Sequence, residues 1–418
     1  MTGTRDLLIE IGTEELPPKA LRRLGMAFAD EVRAGLDKQS LPLKSCQWFA
    51  APRRLAVLIE DLAIAQRDRE GVKRGPALNA AFDKNGKPTS AAMGFARSCG
   101  TDMDKLETLE TGKGKWLIHR AMEKGAPTAT LLPEIIDAAL TRLPIPKRMR
   151  WGNGEAEFAR PVHWIVVLFG SDIVPCAPFG IPAGRETRGH RFHHPGGISI
   201  PAPRDYVRLL RDTGLVLVDF TARMELISDQ VSRAASAEGG TVHMDPALLE
   251  EVTALVEWPI PITGTFEDRY LELPIEVLVA AMQGHQKYFP VLSKDGDKLL
   301  PRFIAIANID SPQPDAIRRG NERVIRPRFA AAAFFRERDR RAPLASHAPA
   351  LEKVVYQNKL GSLADRTRRV AALCRFMAGE LGSDAAAADR AAQLAKCDLL
   401  TEMVGEFPEL QGVMGRYY

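Results

Sequence analysis

The apolar residues of this chain come in short runs. Trp164–Phe169 and Val277–Met282 each hold six in a row, against the roughly 20 needed to span a bilayer. Hydrophobic cores must therefore be assembled from many short strands and helices. At 418 residues and 45% hydrophobic content, there is material for two or three of them. No membrane span is expected. Met1 to Asp6 runs straight into the strand-like Leu7-Leu8-Ile9, without the basic region, apolar stretch and cleavage site of an export signal. The address this implies is cytoplasmic. Cysteines 46, 99, 176, 374 and 397 are odd in number and form no Cys-x-x-Cys pair, a pattern of reduced, buried thiols.

Periodicity gives a mixed α/β (α+β) texture. Leu7–Ile11 reads as a strand, and Pro17-Pro18 then opens a helix whose Leu21, Leu24, Phe28 and Val32 share one face. Arg54–Ile59, Trp116–His119 and His163–Phe169 are further strand candidates. The stretch from Gly71 to Gly100 is rich in Gly, Ala and Lys, with Asn85-Gly86 marking a turn. After Pro201 and Pro203 come a helix around Tyr206, Leu209 and Leu210, and a stripe of Leu248, Leu249, Val252, Leu255 and Val256. A strand from Ile260, a helix over Ile275–Gln283, and strands Tyr288–Leu292 and Arg302–Ile309 repeat the α/β pattern. From Ala316 to Tyr418 the chain reads as Ala- and Arg-rich helix with no strand. The expected division is 1–200, one or more mixed modules with one inserted in another; 201–340, a second α/β module ending in an Arg-rich connector; and 341–418, all-helical and incomplete.

A net charge of +4 is too mild for a protein that coats nucleic acid through overall charge. Any polyanion site must be local. Between Arg142 and Arg191 there are eight basic residues against four acidic ones, and between Arg318 and Arg341 nine arginines against three acids. The first stretch contributes Arg148, Arg150 and Trp151, then Arg185, Arg188, His190 and Arg191 around Phe192. The second contributes Arg323, Arg326 and Arg328. Guanidinium groups beside aromatic faces suit phosphate contact and base stacking; a solvated basic loop is the competing reading.

Other chemistry lacks its residues. Gly112-Lys113-Gly114-Lys115 has neither the spacing nor the hydroxyl of a phosphate loop and reads as a hairpin turn, and Gly-x-Gly-x-x-Gly, Gly-x-Ser-x-Gly and His-Glu-x-x-His do not occur. His190, His193 and His194 are spaced as metal ligands on a helix would be. Gly189 and Pro195-Gly196-Gly197 place them in a turn instead, with no carboxylate to complete a shell.

Ile9-Glu10-Ile11-Gly12-Thr13-Glu14-Glu15-Leu16-Pro17-Pro18, Pro52-Arg53-Arg54-Leu55-Ala56-Val57, Lys73-Arg74-Gly75-Pro76 and Arg160-Pro161-Val162-His163-Trp164 together resemble the bacterial glycyl-tRNA synthetase β-subunit family. Arg188-Gly189-His190-Arg191-Phe192, Leu255-Val256-Glu257-Trp258-Pro259, Gln286-Lys287-Tyr288-Phe289-Pro290-Val291, Asn321 to Arg328 and Lys396-Cys397-Asp398-Leu399 continue the match in the same order. The resemblance implies a tRNA-binding, non-catalytic chain that works with an α subunit to attach glycine to its tRNA. ATP, Mg and the adenylation chemistry would lie on that α subunit, with no cofactor, metal or catalytic residue here. In keeping with this, the only Arg-x-Glu of a class II type is Arg223-Met224-Glu225, in a helical context. The resemblance further implies a B3/B4-type α/β module near the N-terminus, a degenerate HD-like helical domain from 341, and an anticodon-binding region beyond the part present.

The HD resemblance raises a rival, a metal-dependent phosphohydrolase. Its His-Asp pair is replaced by Cys397-Asp398, and His347 is the last histidine. Leu394, Cys397, Leu400, Met403 and Val404 fall on one helical stripe that buries the thiol. A further departure is Phe329-Ala330-Ala331-Ala332, where the family carries Leu-Ala-Asp-Ala. A third reading makes the chain a structural scaffold for the α subunit.

Overall fold

A computed structural model describes residues 3–83, 86–112 and 114–418. Contacts divide it into two compact units, Met1–Arg188 with Gly196–Leu209, and Gly189–Pro195 with Leu210–Tyr418.

The first unit begins with strand β1 (Thr4–Thr13) and helix α1 (Pro18–Lys38), followed by β2 (Ser45–Ala51) and β3 (Arg54–Ala63). Proline at the first helical position, where no amide donor is needed, opens α1. A separate three-stranded sheet comes next in the chain, made by β4 (Arg69–Ala77), β5 (Glu107–Thr111) and β6 (Gly114–Glu123). Helix α2 (Ser90–Ser98), capped by Thr89, closes its small core of Ala81, Ala92 and Leu117. The stretch from Gly71 to Gly100 thus holds a strand and a helix. Most of β4 is half-exposed or exposed, so no apolar alternation marks it. Asn85 of the expected turn and Lys113 of the expected hairpin turn lie outside the described residues.

Helix α3 (Thr128–Arg142), strands β7 (Val162–Phe169) and β8 (Asp172–Ile173), and the short pair β9 (Glu186–Arg188) and β10 (Gly197–Ser199) complete the unit. The main sheet is antiparallel in the order β8-β7-β1-β3-β2. Its central strand β1 is buried from Leu7 to Thr13 on both faces, so it reads as a continuous apolar run rather than an alternation. Glu10 interrupts that run. Gly12 sits between Arg54 of β3 and Trp164 of β7 in register, and a Cβ there would stand 1.9 Å from the Trp164 indole. Gly12→Ala is expected to lose about 1–3 kcal/mol through overpacking, read as a lowered urea midpoint with an unchanged slope.

In the second unit, helices α4 (Phe220–Ala237) and α5 (Pro246–Thr253) are capped by Asp219 and Asp245. The expected stripe breaks at the end of α5, because Leu255 lies past the helix and is exposed. Strands β11 (Gly240–Val242), β12 (Ile260–Thr265), β13 (Phe289–Ser293) and β14 (Leu299–Ala307) form an antiparallel sheet in the order β11-β13-β14-β12. Helix α6 (Ile275–Ala280) runs into a π-helical turn, Ala281–Gln286. Ile227, Val231, Leu248, Val252, Phe289 and Ile304 make one core. A second core gathers Tyr288, Phe303, Ile325 and Phe329 with Met403, Val404, Phe407 and Met414.

The long helix α7 (Pro314–Asp339) contributes Ile325 and Phe329 to that second core. Beyond it lie α8 (Leu363–Glu380), α9 (Ala385–Leu394) and several short helical turns. The expectation of no strand here is corrected by a two-stranded ladder, Val355–Gln357 with Gly361–Ser362. The single stripe through Leu394 and Val404 is also corrected. Separate turns at Cys397–Leu400 and Glu402–Glu406 carry it, although Cys397, Met403 and Val404 are buried. Among the described residues, no helix is long and apolar enough to cross a membrane.

Candidate nucleic-acid interface

Motif residues far apart in the sequence meet in one buried cluster of the first unit. Glu10 and Arg54 are fully buried, which is tolerable for charges only when they are paired and hydrogen-bonded. The Glu10 carboxylate accepts from Trp164 Nε1 at 2.8 Å, Thr187 Oγ1 at 2.7 Å and Arg54 Nη1 at 3.3 Å. Arg54 also donates to Thr187 Oγ1 at 3.0 Å and to the Arg188 carbonyl at 2.7 Å. The guanidinium groups of Arg54 and Arg188 lie 5.5 and 5.6 Å from the Trp164 ring. Tyr206, buried beside them, has its phenol held far above the ordinary range by burial and then by the Glu10 charge. The cluster thereby fixes the backbone of Arg188 while leaving that residue exposed.

The other candidates in this unit are placed less uniformly. Arg148 is half-buried and donates to the Thr141 carbonyl at 2.8 Å, and Arg185 donates to the Ser171 carbonyl at 2.9 Å. Arg150 is exposed but pairs with Glu155 at 2.8 Å. Trp151 rests on Phe179 with centroids 6.1 Å apart, which turns part of its face inward.

His190, in the second unit, is completely buried. The Phe192 and His193 amides approach its Nδ1 at 3.3 Å, and Nε2 lies 2.7 Å from the Asn308 carbonyl. Accepting at Nδ1 and donating from Nε2 is the pattern of a neutral imidazole. The expectation of a donor for phosphate is replaced by a residue that shapes its own loop, with Arg191 and Phe192 exposed beside it. Burial lowers the His190 pKa, outweighing the charge of Glu257. The unfolded chain therefore takes up this proton more readily, so the stabilisation is complete above about 6.5 and falls away at lower pH. The protection factor of amides 189–195, taken relative to the intrinsic exchange rate at each pH, is expected to fall between pH 7.5 and pH 5.5, roughly the span of imidazole titration, and His190→Gln should remove that dependence.

Helix α7 sorts its charges by side. Of its four acids, Glu322 and Asp339 face inward and are buried, while Asp315 and Glu337 stay exposed and pair with Arg318 at 3.0 Å and Arg341 at 3.1 Å. Glu322 accepts from the Thr265 amide and hydroxyl at 3.0 and 3.1 Å, while Asp339 accepts from the Glu402 and Met403 amides and the Tyr418 hydroxyl at 2.9, 3.0 and 2.8 Å. Arg319, Arg323, Arg326 and Phe334 follow helical spacing on the opposite, exposed face. Arg323 has no ion pair among the described residues, whereas Arg326 pairs with Glu267 at 3.2 Å and Arg328 with Glu406 at 3.4 Å. Phe334 is 50% exposed with the Arg338 guanidinium 5.6 Å from its ring. Arg319, Phe334 and Arg338 were not among the sequence candidates, although counting helical turns from Arg323 reaches Arg319 and Phe334.

Asp398 acts as a clamp within its own domain. Its Oδ2 accepts from the Gly415 amide at 2.9 Å and from the Gly412 amide. Among the described residues, no group of three or more His, Cys, Asp or Glu converges as metal ligands would.

An antiparallel sheet with a buried ion pair, followed by a helix with one arginine-rich face, defines an α/β protein with a candidate polyanion surface. Residues 7–418 match the family model described as glycyl-tRNA synthetase beta subunit, and the chain belongs to that family. It is 52% identical over 414 residues to the glycine–tRNA ligase beta subunit of Hahella chejuensis, covering 99% of this chain and 60% of that protein. The corresponding subunits of Marinobacter nauticus and Pseudomonas aeruginosa are 50% and 49% identical, with 60% of each covered. The chain thus spans about 60% of the length of these relatives.

Proposed function

We propose that this chain supplies part of the tRNA-holding surface of a glycine–tRNA ligase, with glycine tRNA as its nucleic-acid partner and an α subunit as its protein partner. Activation of glycine with ATP and Mg belongs to that α subunit in this reading, and the setting is the cytoplasm. Glycine has no side chain to grip, so discrimination has to rest on contacts to the tRNA away from the amino acid. The observation that carries the reading is the sorting of charge on α7. Two of its four acids are spent on internal hydrogen bonds and the other two pair with Arg318 and Arg341, so Arg319 and Arg323 remain exposed on a helix that also carries an open aromatic ring. Such a face suits a ribose-phosphate chain with an unpaired base. Arg188 and Arg191 are the further contacts proposed. In the same reading the first module is of B3/B4 type, and residues from 341 are a degenerate HD-like region that does no phosphohydrolase chemistry.

The test is binding of glycine tRNA and of an unrelated RNA of equal length over a series of salt concentrations, together with glycine-dependent ATP/pyrophosphate exchange. The expected result is tighter binding of glycine tRNA, a log–log salt slope near 0.7–0.9 per phosphate neutralised, and exchange only when the α subunit is added. Exchange by the purified chain alone, or equal affinity for both RNAs, rejects the assignment.

A further inference from the structure

Helix α8 is packed inside out. Its buried side rests on Leu363, Ala371 and Ala378, whereas its large apolar residues face outward. Val370, Leu373, Phe376, Met377 and Leu381 are 39%, 61%, 66%, 57% and 75% exposed. With 373 taken as the centre, helical spacing sets 366, 369, 370, 376, 377 and 380 on the same side. Val355, Tyr356 and Leu360 add exposed apolar surface in the ladder beside the start of the helix, where Arg366 lies 4.6 Å from the Tyr356 ring. Eight of the twenty large exposed apolar residues described thus fall between Val355 and Leu381. Large apolar side chains concentrated on one exposed helical face mark a contact surface rather than scattered exposure.

We propose that this face is covered by an amphipathic helix with acidic flanks, supplied by the part of the β polypeptide that the relatives possess beyond the 60% matched here. Three observations select that occupant. The spacing of 370, 373, 377 and 381 is a seam that a second helix fits. Arg369 on the rim has no ion pair among the described residues, so an opposing carboxylate would complete it. The relatives carry enough additional polypeptide to supply the helix from the same chain. RNA fits poorly, since a ribose-phosphate chain gains nothing from aliphatic side chains. This inference is independent of the RNA reading of α7.

The experiment is maleimide labelling of Leu373→Cys, resolved by peptide mass spectrometry from the neighbouring Cys374, with Phe376→Cys as a second reporter. It compares the 418-residue chain with the β polypeptide extended to the length of its relatives. Labelling is expected to be at least about tenfold slower in the extended polypeptide alone, as for a site that reacts only on local opening. Leu373→Asp should lower the unfolding temperature of the extended polypeptide and leave the 418-residue chain unchanged. Equal labelling rates in the two chains overturn the proposal. So does protection that requires the α subunit, or protection that rises with concentration of the 418-residue chain, which would assign the face to another subunit or to a second copy.

Discussion

Replacing Arg54 by methionine should cost about 3–5 kcal/mol of folding stability, because it leaves Glu10 as a buried charge without its cation. Both side chains are fully buried, so water cannot take the place of the lost partner. The Glu10 carboxylate would keep the Trp164 and Thr187 donors, which is too little to offset its desolvation. Pairing the change with Glu10→Met should restore much of the loss, since apolar replacement of a whole buried pair is often neutral or better. The measurement is urea unfolding of the two single variants and the double variant. A single Arg54→Met variant within about 1 kcal/mol of the parent, the range of an exposed pair, would show that the cluster does not hold the sheet. Loss of the Arg54 bond to the Arg188 carbonyl should also loosen β9, visible as faster amide exchange at residues 186–188.

The second large effect concerns α7. Changing Arg319, Arg323 and Arg326 together to alanine should flatten the salt dependence of tRNA binding by about 2–2.7 in the log–log slope, from 0.7–0.9 per contact. Phe334→Ala should weaken binding by about 1–3 kcal/mol if a base stacks on that ring. None of these side chains contributes to the buried cores, so thermal unfolding should remain close to that of the parent. An unchanged slope in the triple variant would remove this face from the RNA surface. Arg328 alone, on a different side of the helix and paired with Glu406, should have a smaller effect.

Local signals identified many elements and missed others for definable reasons. β1, α1, β3 and β7 were legible because their apolar residues recur at one spacing or run unbroken into the core. β4 and α2 were not, since their exposed faces leave few apolar positions to count. Basic stretches were visible as composition, but composition does not say which way a side chain points. It grouped His190 with its neighbouring arginines, and the fold buries that imidazole against Asn308. It also counted Glu322 and Asp339 against the arginines of α7, although both acids are turned away from the surface those arginines share.

From the order of residues alone came the mixed α/β texture, the family and the two stretches where basic charge accumulates. Only the tertiary structure brought Glu10 to Thr187, 177 positions along the chain, and made Arg54, Gly12 and Trp164 neighbours across three strands. The reason is that sequence spacing governs contacts within a helix or strand, whereas pairing between distant strands is selected by how the assembled sheet can satisfy every buried polar group at once. The same selection turned Glu322 and Asp339 of α7 inward and left the large apolar side chains of α8 outside.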